Sequence, residues 1–279
     1  FALFVLVLTG VWCYWVILKD LPSPNRLSSR DQIVSTKILD REGNLLYKIY
    51  RGENRTLVEL DQVPLFFKKA TIAIEDSQFY SHHGFSWRGI TRSVYRNLFL
   101  GKLSGGSTIT QQLVKNTLLT PERTWQRKLK EIVLAIWVEM KFSKDEILKM
   151  YLNEVGYGGA AYGVEEASQL YFGKSVKDID LAEAALLAGL PASPPRYSPF
   201  GANPKLSKER QEQVLKRMVE DGYLTEQESK RAGEQELKFT AQKTDIKAPH
   251  FVMYVKDILV KKYGETIVER GGLEVKTSL

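Results

Sequence analysis

The chain is short of the residues that most often announce chemistry. It has one cysteine, Cys13, among 279 residues, which excludes an internal disulfide framework. Its histidines are His82, His83 and His250. No cysteine or second histidine stands at metal-ligand spacing from any of them, and adjacent histidines on a regular element make a poor ligand pair. A glycine pair, Gly105-Gly106, is present, but no Gly-Lys-Ser/Thr ending comes after it, so it is not a nucleotide P-loop. There is no internal repeat and no low-complexity tract. Strand signals are scarce away from the two ends of the chain.

Acidic residues are nearly missing from one stretch. Between Trp87 and Lys130 the only acid is Glu122, against Arg88, Arg92, Arg96, Lys102, Lys115, Arg123, Arg127, Lys128 and Lys130. That stretch alone accounts for the net charge of +7. Such a block points to a polyanion: nucleic acid, an anionic membrane surface or a phosphate-bearing substrate. Trp87, Tyr95, Leu98, Phe99 and Leu100 interleave the cations, a pattern that suits an amphipathic surface on lipid better than a solvated face.

Charge of either sign is absent from residues 1–18. As a helix this run reaches roughly 27 Å, about the thickness of a bilayer's hydrocarbon. Trp12, Tyr14 and Trp15 lie toward its far end, where an aromatic belt sits. A transmembrane anchor is expected, with Cys13 packed inside it. A secretory leader is the competing reading, but the run is long for one and no small-residue cleavage site precedes Leu21-Pro22-Ser23-Pro24. The chain starts at Phe1, which reads as a piece of a longer protein.

A 43% hydrophobic share supports one or two domains with real cores. After a polar linker, residues 33–39 and 45–50 read as two strands joined by a turn at 40–44. Helical patterning starts after Asp61, near Pro64, and continues at about 108–118, 124–142, 144–153, 161–171, 179–189, 206–221, 225–233 and 249–263. The proline-rich stretch 190–199 reads as an ordered loop or extended connection. Residues 273–279 read as a strand. The body is therefore mainly helical, with a β-hairpin before it and a stub after it.

Three stretches carry candidate chemistry. Glu75-Asp76 ends an apolar helical run and leads into Ser77-Gln78-Phe79-Tyr80-Ser81-His82-His83-Gly84. A carboxylate at the lip of such a run is partly desolvated, and desolvation makes it a better proton acceptor near neutral pH. Alone, it would pass for a helix-terminal surface acid. Next, Thr108 and Gln111 fit a capping box. Thr108, Gln112 and Lys115 then fall at i, i+4 and i+7, one polar stripe suited to a cleft wall, behind a glycine-led helix start that favours anions. Last, Arg127 and Glu131 stand at i, i+4; beside Lys115, Arg123 and Lys128 they form a candidate diphosphate clamp.

Together these stretches resemble the peptidoglycan glycosyltransferase domain of class A penicillin-binding proteins, glycosyltransferase family 51. Its Glu-Asp-x-x-Phe-x-x-His-x-Gly motif matches Glu75 to Gly84. Gly-Gly-Ser-Thr-Ile-Thr-Gln-Gln-x-x-Lys-Asn matches Gly105 to Asn116, and Arg-Lys-x-x-Glu matches Arg127 to Glu131. Lys-x-x-Ile-Leu-x-x-Tyr-Leu-Asn matches Lys144 to Asn153, and Arg-x-x-x-Val-Leu-x-x-Met matches Arg210 to Met218. Five motifs in order are far more specific than a lone glycine pattern.

The resemblance implies a mainly α, lysozyme-like domain with a membrane-proximal jaw at Trp87 to Leu103. It implies polymerisation of lipid II outside the bacterial cytoplasmic membrane. Glu75 is then the general base and Glu131 the second acid, which organises the donor site or a divalent cation, Mg or Mn. Lys115, Arg123, Arg127 and Lys128 bind diphosphate. Ser107 and Gln112 touch substrate, while Asp76, Phe79 and His82 hold the loop. No organic cofactor and no nucleic acid are expected; lipid II, the nascent glycan, membrane lipid and cell-wall synthesis proteins are the expected partners. The expected layout is an anchor at 1–18, linker and hairpin at 19–60, the glycosyltransferase domain at 61–240, and at 241–279 the start of a connection to a transpeptidase domain. No Ser-x-x-Lys occurs in this chain, so that second centre is not within it. Ser86 stands where many members carry Asp. A murein-cleaving enzyme of similar fold is the rival reading; it needs one glutamate but no diphosphate clamp.

Overall fold

The computed structural model describes residues 19, 21–29, 33–85, 106–120, 122, 124–240 and 246–279. The expected anchor 1–18, the expected jaw 87–103 and Arg123 lie outside them. Among the described residues no helix is long and apolar enough to cross a membrane.

The described chain is mainly helical. Its longer helices are α1 (Leu65–Glu75), α2 (Ile109–Thr117), α3 (Trp125–Lys141), α4 (Lys144–Glu154), α5 (Val164–Phe172), α6 (Leu181–Gly189), α7 (Lys205–Glu220), α8 (Glu226–Glu234), α9 (Pro249–Tyr263) and α10 (Glu265–Arg270). The strands are β1 (Thr36–Leu39), β2 (Leu45–Ile49), β3 (Asn54–Arg55), β4 (Gly156–Gly158), β5 (Ala161–Tyr162) and β6 (Glu274–Lys276). The chain divides into two compact units, one of residues 1–30 and 75–154, the other of residues 31–74 and 155–279.

In the first unit α2 begins at the predicted capping box. The Gln111 N–H donates to Thr108 Oγ1 at 3.2 Å, and the Thr108 N–H donates to Gln111 Oε1 at 3.3 Å. This satisfies two of the donors that a helix start leaves open. Ile109, Leu113 and Val114 of α2, Leu134, Ala135 and Val138 of α3, and Ile147, Leu148 and Leu152 of α4 are buried. Each large side chain among them contributes about 1.5–3 kcal/mol by leaving water.

The second unit has two cores. One is built on alanine: Ala70 and Ala73 of α1, Ala182, Ala185 and Ala188 of α6, and Ala232 of α8, with Val214, Leu215 and Met218 of α7. The fifth sequence motif belongs here. Arg210 donates from Nε to the Gly189 carbonyl at 3.1 Å, and its guanidinium lies over the Tyr197 ring. The other core joins both ends of the described chain. β1 pairs antiparallel with β2 as predicted and parallel with β6, giving the order β2-β1-β6. Ile38, Leu46 and Ile49 pack with Val252 and Leu259 of α9 and Val268 of α10. Stretches that read as separate linkers thus share one sheet and one core.

Three local expectations are corrected. β1 starts at Thr36, not Ile33; Val34 makes an isolated bridge to Gly271. The helix expected from residue 161 starts at Val164, because Ala161 and Tyr162 pair with Asn54 and Arg55 in a sheet of order β3-β5-β4. The proline-rich stretch contains a 3-10 turn, Leu190–Ala192, and a helical turn, Pro194–Tyr197. Proline suits the first position of a helical turn, where its missing N–H has no partner to lose.

Candidate active site

Glu75 closes α1 and opens the loop to Gly84. Its Oε2 accepts from Gln112 Nε2 at 2.7 Å, and Gln112 Oε1 is 3.4 Å from the Tyr151 hydroxyl. Helix α2 therefore supplies a donor to the expected base, and α4 steadies that donor. Asp76 turns the other way and is buried. Its Oδ2 accepts from the Ile109 N–H at 3.1 Å and lies 2.8 Å from His82 Nε2. One carboxylate thus ties the loop to the start of α2. The Phe79 ring is fully buried, edge-on to Tyr80, with Lys144 Nζ 4.6 Å from its centroid. These contacts give Asp76, Phe79 and His82 the geometry of loop supports.

Gly84 explains the end of the motif. It has φ +87°, and a Cβ placed there would lie 2.8 Å from the backbone of Ala135 and Ile136. Only glycine tolerates both the backbone conformation and the approach to α3. Its carbonyl accepts from Thr108 Oγ1 at 2.9 Å. Thr108 is accordingly a buried cap, not part of a cleft wall; of the predicted stripe, Gln112 is half-buried and Lys115 exposed.

The second cluster sits on α3. Lys128 Nζ donates to Ser107 Oγ at 2.8 Å, reaches Gln111 Oε1 at 3.5 Å and pairs with Glu131 Oε1. Arg127 Nη1 donates to Glu131 Oε2 at 3.1 Å. Glu131 is buried, where a carboxylate is tolerated only when paired. Neighbouring residues of α2 thus serve two ends of the site: Gln111 meets the cation cluster and Gln112 meets Glu75. Arg127, Lys128 and Glu131 come together and Ser107 joins them through Lys128, while Lys115, expected in the same clamp, stands exposed toward the far end of α2.

The expected divalent cation does not find a site in these residues. Both Glu131 oxygens already face cations. Among the described residues no three His, Cys, Asp or Glu side chains gather as ligands, and residues 86–105 contain none of these types. A metal placed at Glu131 would meet two positive side chains on one carboxylate.

Glu139 and Lys144 were not anticipated as site residues. Glu139 accepts from Thr110 Oγ1 at 2.5 Å and from Lys144 Nζ at 2.7 Å, with its Oε1 3.8 Å from His82 Nδ1. Its carboxylate links α2, α3 and α4 behind the Glu75 loop. The helical repeat offered no signal: Glu139 stands eight residues after Glu131, roughly 80° around the helix from it.

Comparison with known proteins agrees with this arrangement. The transglycosylase family profile matches residues 42–219. Penicillin-binding protein 1A of Aquifex aeolicus is 40% identical over 264 residues, covering 94% of this chain and 36% of that protein. Penicillin-binding protein 1F of Bacillus subtilis is 40% identical over 253 residues, covering 88% and 35%. The crystal structure of penicillin-binding protein 1A from Haemophilus influenzae superposes with a TM-score of 0.50 at 25% identity, covering 87% of this chain and 26% of that one. The chain thus spans about a third of the length of the curated relatives it matches. A profile match across most of the chain, with relatives at this identity, settles its lineage: the chain belongs to the transglycosylase family.

Proposed function

We propose that this chain is a peptidoglycan glycosyltransferase that polymerises lipid II into β-1,4-linked glycan. The observation that carries the reading is the division of labour on α2, where Gln112 holds Glu75 and Gln111 meets the Lys128–Glu131–Arg127 cluster.

In this mechanism Glu75 takes the proton from the GlcNAc 4-hydroxyl of the acceptor. That oxygen forms a bond to the anomeric carbon of the donor chain as the bond from that carbon to the diphosphate oxygen breaks, with inversion. Undecaprenyl diphosphate departs with the bonding electrons and needs little protonation. It needs charge stabilisation, which fixed cations supply; Lys115, Arg123, Arg127 and Lys128 take that role. Glu131 holds Arg127 and Lys128 in place, and Ser107 and Gln112 contact substrate. No step is routed through a metal.

The same reading sets the enzyme on the extracytoplasmic face of the bacterial cytoplasmic membrane, anchored by 1–18, with a lysozyme-like body and a jaw at Trp87 to Leu103. Lipid II, the growing glycan, membrane lipid and cell-wall synthesis proteins are its partners. Labelled lipid II in detergent tests it: wild-type protein forms glycan polymer and Glu75→Gln does not. Cleavage of preformed glycan, or lipid binding without turnover, overturns it.

A further inference from the structure

The second unit holds a groove that the proposed chemistry leaves unused. Its volume is about 480 Å³, within the range of small-ligand sites. Leu186 of α6, Pro199, Pro204, Leu237 and Phe239 form its apolar wall. Its polar wall is the first turn of α7. Pro204 stands at the cap position without a side-chain acceptor, and that turn holds no acid. The positive end of a 16-residue helix is thus left for an anion. Two side chains of the turn line the groove. Ser207 is 4% exposed, and its hydroxyl has no hydrogen bond among the described residues. Lys208 Nζ donates to Gln211 Oε1 at 2.9 Å and to the Gly233 carbonyl. Gln211 is fully buried and donates in turn to the Ala182 carbonyl at 2.7 Å, which fixes the ammonium in place. An ammonium has three donors, so one remains. Glu236 also lines the groove, exposed and without an ion pair among the described residues.

We propose that this groove binds the carboxylate end of a short peptide, and that the peptide is the one lipid II carries on its sugar. The carboxylate accepts from Ser207 Oγ and Lys208 Nζ at the start of α7, a mode of C-terminal capture by open donors. Glu236 takes an ammonium elsewhere on the ligand, and apolar side chains lie on Leu237 and Phe239. The charge pattern selects among anions. A phosphate would bring a second negative charge toward Glu236, and a fatty acid has no group to pair with it. A peptide with a free carboxylate and a basic side chain satisfies both ends. The source of the peptide rests on the glycosyltransferase reading: the polymer carries one such peptide per disaccharide. A site for it holds substrate or product by a part that glycosyl transfer leaves unchanged.

The test is binding, which needs no turnover. The probe is acetyl-L-lysyl-D-alanyl-D-alanine, titrated onto the full chain in detergent and read by calorimetry. Saturable binding in the millimolar range is expected. Amidation of the probe's C-terminus is expected to weaken it roughly tenfold or more, Ser207→Ala about tenfold and Glu236→Gln about threefold. The all-L isomer, which stands for a protein's C-terminus, is expected to bind more weakly. No saturable binding, equal binding of the carboxylate and amide probes, or equal binding by wild type and Ser207→Ala would overturn the site. Equal or tighter binding of the all-L isomer would overturn the assignment to lipid II. Polymer synthesis without peptide binding sinks the site and leaves the glycosyltransferase reading standing; peptide binding by a chain that makes no polymer keeps the site and removes that reading.

Discussion

In the alanine core of the second unit, α1, α6 and α7 meet through Ala70, Ala73, Ala182, Ala185, Ala188, Val214 and Met218. In the first unit α2, α3 and α4 meet through apolar side chains as well, but they also enclose Asp76, Glu131 and the Glu139 side chain. The apolar contacts stabilise without direction. The buried carboxylates gain little net stability, yet each accepts only from particular donors. The first arrangement fixes how closely helices approach; the second fixes which way Glu75, Gln112 and Lys128 point. The proposed catalysis needs the second.

That contrast can be broken at several points. The largest effect is expected from Glu75→Gln, which removes the proposed base and on that reading lowers glycan polymerisation by about 10²–10⁴-fold, with the urea midpoint unchanged. Wild-type turnover in that variant removes Glu75 from the mechanism. Met218→Ala, in the alanine core, is expected to cost about 2–5 kcal/mol in urea unfolding while kcat of the folded fraction stays near wild type. A proportionate loss of kcat would show that the apolar core also sets the site.

Glu139→Gln is expected to do both, less strongly. It leaves Lys144 without its buried carboxylate, costing about 1–3 kcal/mol, and lowers kcat roughly tenfold at little-changed KM, a position effect on the scale of a lost orienting contact. Adding Lys144→Met is expected to return part of the stability and none of the rate. An unchanged kcat in Glu139→Gln would make Glu139 a purely structural acid.

The smallest effect compares matched caps. Glu146 accepts from the Ser143 N–H at 2.8 Å in the first unit, and Glu228 accepts from the Thr225 N–H at 2.8 Å in the second. In each case the backbone N–H, then the hydroxyl of the same residue, holds the carboxyl below its usual range. A carboxyl whose folded pKa lies below its unfolded value adds stability above the unfolded value and loses it as pH falls through the folded one. NMR titration is expected to give depressed midpoints for both. Depression in only one unit would mean that the caps, too, differ between the units.

Much of this was legible in the sequence because it is written in local rules. The α2 start comes from Thr108 and Gln111, a capping box. The β1–β2 hairpin came from alternation around a turn. The features that escaped depend on contacts far apart in sequence. Asn54 and Arg55 form a two-residue strand, too short for any period, and it exists only because Ala161 and Tyr162 come beside it. Thr108 looked like a cleft residue because the helical repeat places it with Gln112; its partner Gly84 is 24 residues away. Glu131 was expected to organise the donor site or a divalent cation, and it pairs with the two cations on its own helix, Arg127 and Lys128.

The pairing of β1 with β6 has a mechanical consequence. The chain enters this sheet through β1 and leaves through β6, and the two strands run parallel with Lys37 beside Glu274 and Leu39 beside Lys276. Tension applied between the segment N-terminal to β1 and the segment C-terminal to β6 pulls the strands along their length in opposite senses. The ladder is then loaded in shear, so the bonds Lys37 N–H to Leu273 O and Thr277 N–H to Leu39 O carry the force together instead of opening one after another. A pull from either end is borne by this small sheet, and the helices that carry Glu75 and Lys128 are not part of its ladder.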